Sequence, residues 1–154
     1  MSTHTAVADA VVADLNSQDW TIPCQAARVA RVDLESLGLA EIPTVLVMAR
    51  DEVGRKASRA SWEEDYGVDV IVAQRPVSAT GESDPTLERL DALASLCQAM
   101  RDRLRSAALT LADGRRVAPV SYSRQTDAGP WSEAALAEWH GFLSVYRFTF
   151  RLPG

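Results

Sequence analysis

Residues 142–152 read FLSVYRFTFRL and residues 62–74 read WEEDYGVDVIVAQ. Phe142, Tyr146, Phe148, Phe150 and Leu152 share one parity of the first stretch, and Trp62, Tyr66, Val68, Val70 and Val72 share one parity of the second. Successive side chains of a strand point to opposite sides of its sheet, so this alternation predicts two β-strands, each with one buried face. Between them, Asp84–Ala108 reads as a long amphipathic helix. Asp84 is placed to cap it, Pro85 suits the first helical position, and Leu90, Leu93, Cys97, Met100 and Leu104 form an apolar stripe. Two strands of matched parity with a helix between them predict antiparallel neighbours in one sheet, covered by that helix. The layout is that of a small α/β scaffold.

Working outward, Thr5–Asn16 carries Val7, Val11 and Leu15 every four residues and predicts a helix with one apolar face. Ala26–Asp33 reads as a strand interrupted by Arg28 and Arg31. Asp33–Ile42 reads as a connector with a turn of helix, ended by Gly38 and Pro43. Thr44–Ala49 is a dense β-branched and apolar run, expected to be a central strand. Arg50–Ser61 is polar, contains Gly54 and reads as a long loop, and Val77–Ser83 reads as a second loop around Gly81. Asp113-Gly114 signals a turn, and Pro119 confines the strand Val117–Tyr122 to a sheet edge. After a loop at Asp127–Pro130, Ser132 is placed to cap a short helix reaching about Glu138.

A chain of 154 residues with 47% apolar and 24% charged residues is expected to form one globular domain, residues 1–154. Its net charge of −5 argues against generic binding to a nucleic-acid backbone. Cys24 and Cys97 are far apart in sequence and are expected to be free thiols of a reducing compartment. Met1–Asp9 lacks the pattern of a signal peptide, and no apolar run approaches the ~20 residues of a membrane span, so synthesis in the cytoplasm is expected.

Reaction chemistry is not visible in the residues. The eight glycines never take the spacing of a dinucleotide fingerprint, a P-loop or a nucleophile elbow. His140 is either a base or a packed or solvated ring, and no nucleophile pattern lies near it. His4, Cys24, Cys97 and His140 are scattered singly, without zinc-site spacing. Glu63, Asp65 and Asp69 share the polar parity of their strand and read most simply as a solvated sheet face, while Glu64 points the other way. Arg50, Arg55, Lys56 and Arg59 lie in the segment leading into this acidic run. They form either a charged hairpin connection or an assembly loop whose cations meet Glu63, Glu64 and Asp65 of a neighbouring copy. These seven residues are the candidate subunit-interface set.

The order of elements carries a resemblance. An N-terminal helix precedes RVARVDLESLGLAEIPTVLVMAR (28–50), the charged RKASR (55–59), EEDYGVDVIVAQRPV (63–77), the helix LERLDALASLCQAMRDRLR (87–105) and WSEAALAEWHGFLSVYRFTFRL (131–152). The chain resembles the small tail-terminator and tail-completion proteins of long-tailed bacteriophages, also called minor tail or head–tail joining proteins. The most telling stretches are DYGVDVIVAQR (65–75) and ALAEWHGFLSVYRFTFRL (135–152). The resemblance implies an α/β (α+β) fold with a mostly antiparallel sheet and helices packed on one face. It further implies a hexameric ring in the virion, assembled in the host cytoplasm, that ends the tail tube and meets the tail-tube protein and the head-side connector or stopper. DNA would pass through such a ring without sequence-specific binding. No cofactor, metal or catalysis is implied. The alternatives are a neck or head-completion protein of the same particle, or a small ligand-binding or enzymatic α+β domain using Glu63, Asp65, Asp69 and His140.

Overall fold

The two alternating segments are strands and they lie side by side. The computed structural model describes residues 2–56, 62–76, 84–125 and 129–153. Along the chain it contains α1 (Thr3–Asn16), β1 (Gln25–Arg28), a 3-10 turn (Leu34–Ser36), β2 (Leu39–Ala40), β3 (Thr44–Lys56) and β4 (Trp62–Pro76). These are followed by α2 (Leu87–Ser106), β5 (Leu109–Thr110), β6 (Arg116–Arg124), α3 (Glu133–Trp139) and β7 (Phe142–Pro153). Strand order is β1-β3-β4-β7-β6-β5, with β2 alongside the far end of β4. The pairs β3–β4, β4–β7, β6–β7 and β5–β6 are antiparallel, whereas β1–β3 and β2–β4 are parallel. This is an α+β fold built on a mostly antiparallel sheet.

The even-numbered faces of β4 and β7 meet the helices. Tyr66, Val68, Val70 and Val72 join Phe142, Tyr146, Phe148, Phe150 and Leu152 in one buried cluster. From α1 the cluster takes Val7, Ala8, Val11 and Leu15, and from α2 it takes Leu90, Leu93, Leu96, Cys97, Met100 and Leu104. Burial of this many apolar side chains, each about 1.5–3 kcal/mol relative to exposure, fixes the register, because a slip of one residue would turn every one of them outward. Local ties orient α1 on the sheet: Asn16 donates to the Ala26 carbonyl at 3.0 Å and accepts from the Ala26 amide at 2.7 Å. The Trp20 indole satisfies the Leu15 carbonyl at the helix end, at 2.9 Å.

Three expectations need correction. Arg50–Lys56 is not a loop: β3 continues through it, beyond a bulge between Ala49 and Glu52, and pairs with β4 as far as Lys56 opposite Trp62. Pairing with an already fixed neighbour supplies the strand order that a polar, glycine-containing sequence does not signal by itself. Only residues 57–61 remain of the expected loop, and they lie outside the described residues, as does the loop at Val77–Ser83. Second, α2 starts at Leu87. Thr86 is its cap, with a hydroxyl that accepts from the Arg89 amide at 3.2 Å. Pro85 disfavours helical geometry at the residue before it, so Asp84 stays outside the helix and meets the His140 Nδ1 at 2.8 Å. Third, β1 is short, ending at Arg28.

The expected turn at Asp113-Gly114 is present, with Gly114 at φ +89°, a conformation that glycine adopts without penalty. Ser132 caps α3 through the Ala135 amide, at 3.1 Å. Pro119 sits where expected, on a strand that β5 covers only at Arg116 and Val117.

Candidate assembly surface

The odd-numbered face of β4 turns away from the buried cluster, and its Asp65 and Asp69 carboxylates are largely withdrawn from water. Asp65 and Arg151 are direct cross-strand partners, joined by two hydrogen bonds of 2.8 and 3.0 Å. Asp69 and Arg147 are partners in the same way, at 2.9 and 3.4 Å. From the opposite side, Arg50 approaches Asp69 at 3.4 Å. Asp69 is 4% exposed, which overturns the expectation of a solvated sheet face. Both strands space their charges by four residues, so one antiparallel register satisfies both pairs. Two-point contacts between arginine and carboxylate add geometric specificity to their charge attraction.

Glu64 lies on the other face, where the Tyr66 hydroxyl donates to its carboxylate. The buried Tyr66 ring lies 5.8 Å from that of His4, and His4 Nε2 contacts the Gly67 carbonyl at 3.2 Å. Backbone register sets Arg55 opposite Glu63, Gly54 opposite Glu64 and Lys56 opposite Trp62. Within the candidate set, then, Arg50, Glu64 and Asp65 have partners in their own chain, and Arg55 already faces a carboxylate-bearing residue of its own hairpin. Arg59 lies outside the described residues. Arg50 thus meets a carboxylate within its own copy, where the sequence had allowed it to meet a neighbour.

The Asp65 and Asp69 carboxylates are each engaged by a guanidinium group. Among the described residues no group of three His, Cys, Asp or Glu is arranged to hold a metal ion. His140 caps α3 at φ 57° near the Pro76 end of β4, while Asp69 lies six positions before Arg75, roughly 20 Å along the strand. The residues of the enzymatic alternative are therefore not brought together. Burial pushes the Cys97 thiol up to about 12, against a smaller opposing pull from the Ser144 hydroxyl, so it stays protonated and inert. Burial also raises the half-buried Cys24.

One feature was missed in the sequence. Arg105 stacks over the Tyr122 ring at 4.5 Å and Arg101 lies over it at 5.7 Å. Beside them Arg105, Pro119, Val120, Ser121 and Tyr122 line an open cleft of about 190 Å³. Arg101, Arg103 and Arg105 are visible in sequence only as cations complementing a helix end. Their fates diverge: Arg103 pairs with Asp14 at 2.8 Å and ties α2 to α1, whereas Arg105 has no carboxylate partner among the described residues. No helix among the described residues is long and apolar enough to cross a membrane. No model of a known protein family matches the chain, and no curated protein matches it.

Proposed function

We propose that this chain is a virion structural protein at the head-proximal end of a phage tail, where a ring of copies, hexameric in this reading, ends the tail tube and joins it to the head-side connector. The observation that carries the reading is the union of its two most telling stretches. Residues 65–75 and 135–152 resemble tail-terminator proteins, and they fold as direct neighbours, paired without interruption from Glu63–Pro153 to Gln74–Phe142. The resemblance thus falls on the centre of the sheet. Support also comes from the net charge of −5, which suits a channel that lets DNA slide. The protein works in this reading without cofactor or turnover.

Electron microscopy of the purified protein, alone and added to tail tubes, tests the proposal together with deletion of its gene. Rings that seat on tube ends, with deletion giving tails of uncontrolled length or tails without heads, are the expected outcome. Normal tails in the deletion strain would overturn it. Normal tails accompanied by heads that leak DNA would assign the chain to head completion instead.

A further inference from the structure

The sheet has two free edges, and they match. Strand β1 covers β3 only from Thr44 to Val47, with one more bond from the Val29 amide to the Val47 carbonyl. From Met48 onward the outer edge of β3 has no strand beside it among the described residues. On the opposite side, β5 covers β6 only at Arg116 and Val117, so among the described residues no strand lies beside the outer edge of β6 from Ala118 to Arg124. The cross-strand registers connect the two edges level by level. Met48, Asp69, Arg147 and Ser123 form one row, Ala49, Val68, Phe148 and Tyr122 the next, and Glu52, Tyr66, Phe150 and Pro119 a third. The free part of β3 and the free part of β6 thus stand at the same height, at the two ends of the same rows.

Their directions match as well. Three antiparallel steps separate β3 from β6, so the two edges run in opposite senses. A second copy of the same polarity, set beside the first, would present its β3 antiparallel to this β6, the more favourable pairing geometry. Both edges carry a bulge in the same band, between Ala49 and Glu52 on β3 and between Pro119 and Ser121 on β6. Bulges bend and twist a strand, and two aligned bulges curl the whole four-stranded band along one line, the curvature that a closed ring of sheets requires. Arg105, which has no carboxylate partner among the described residues, lies over Tyr122 beside the free edge of β6. Val120, 43% exposed, is an apolar residue on an edge that would otherwise invite a partner.

We infer that copies of this chain join head to tail by sheet extension, the outer edge of β6 in one copy pairing antiparallel with the outer edge of β3 in the next. The contact is heterologous, so it closes into a ring when the rotation per copy divides a full turn. It deepens the proposed ring by naming its junction, and that closure rests on the proposed function. The Arg105–Tyr122 cleft then lies at the junction.

Cysteine cross-linking of the full chain tests the junction. Met48→Cys and Ser123→Cys, which share a row and a face, are made as separate, differently tagged proteins, with Ser121→Cys as a second choice should the register be offset by one pair. Melting curves of each variant are compared with wild type to establish folding, and wild type also gives the background from Cys24. At the highest concentration the protein tolerates, mild oxidation of the mixture should link the two tags at least about tenfold faster than either variant links to itself. The double variant should give a ladder of linked oligomers. Preferential self-linking of Ser123→Cys would mean a two-fold contact and overturn the inference, as would a mixture that links no faster than wild type. Cross-links in a protein whose deletion leaves tails normal would sink the phage-tail reading and keep the junction. Tail completion by an assembly that never cross-links would do the reverse.

Discussion

The two faces of β4 solve opposite problems with neighbouring residues. On the even face, Val68, Val70 and Val72 join the apolar side chains of α1 and α2 in one buried cluster, with Gln74 the buried polar residue near its end. On the odd face, Asp65 and Asp69 are also largely withdrawn from water, yet each is matched by an arginine from β7. Apolar burial is non-directional and holds the layers together. A paired charge contributes less net stability, because the pair must first lose its water, but it penalises a wrong register heavily. The helix face supplies the stability of the fold, and the charged face supplies its alignment.

The largest effect should come from the helix face. Replacing Phe148, 2% exposed, with Ala should destabilise the protein by about 3–5 kcal/mol, because the surrounding strands and α2 cannot collapse onto the space. Urea denaturation checks this through a lower midpoint at unchanged slope. A loss under about 1 kcal/mol would show that this face is loosely packed and reverse the ranking of the two faces.

Next comes the charged face. Asp69→Ala leaves Arg147 and Arg50 without their carboxylate, and the expected cost is about 1–3 kcal/mol, since both guanidinium groups retain access to water. A double-mutant cycle with Arg147→Ala isolates the pair. Coupling near zero would mean that Asp69 acts through packing and not through charge.

Cys97 sharpens the contrast because it places an ionisable group on the apolar side. Its ordinary value is 9.0 and burial raises it to about 12. Between those values the folded chain keeps the proton that the unfolded chain has released. The thiol's contribution is therefore complete below about pH 9 and is lost as pH rises towards about 12, at on the order of 1 kcal/mol per pH unit. Cys97→Ala should flatten the alkaline decline in stability relative to wild type. Equal slopes in the two proteins would show that other groups govern that limb.

Period-two alternation exposed both central strands, and the stripe from Leu90 to Leu104 exposed α2, since each pattern directly reflects one buried face. What escaped reading depended on neighbours. Arg50–Lys56 is a strand because β4 lies beside it, and nothing in RDEVGRK alternates. The ion pairs were present as two matched spacings, Asp65 with Asp69 and Arg147 with Arg151, but recognising them required knowing which strands touch. The stacking of Arg105 on Tyr122 likewise joins residues from α2 and β6 whose proximity only the folded sheet defines.

The smallest expected effect tests whether the hairpin's charges meet within one copy. Arg55 stands opposite Glu63, and like charges at directly opposed positions are destabilising by roughly 0.2–1 kcal/mol. Arg55→Glu should lower the melting temperature slightly, and Glu63→Arg should do the same. Combining them exchanges the charges and should restore the wild-type value if the pair is internal to the hairpin. Dilution separates this from a contact between copies, because an internal pair gives a melting shift independent of protein concentration, whereas a junction contact gives one that grows with it. Failure of the double variant to recover at high dilution would remove Arg55 and Glu63 from the hairpin's own charge pairing and return them to the surface that a neighbouring copy could reach.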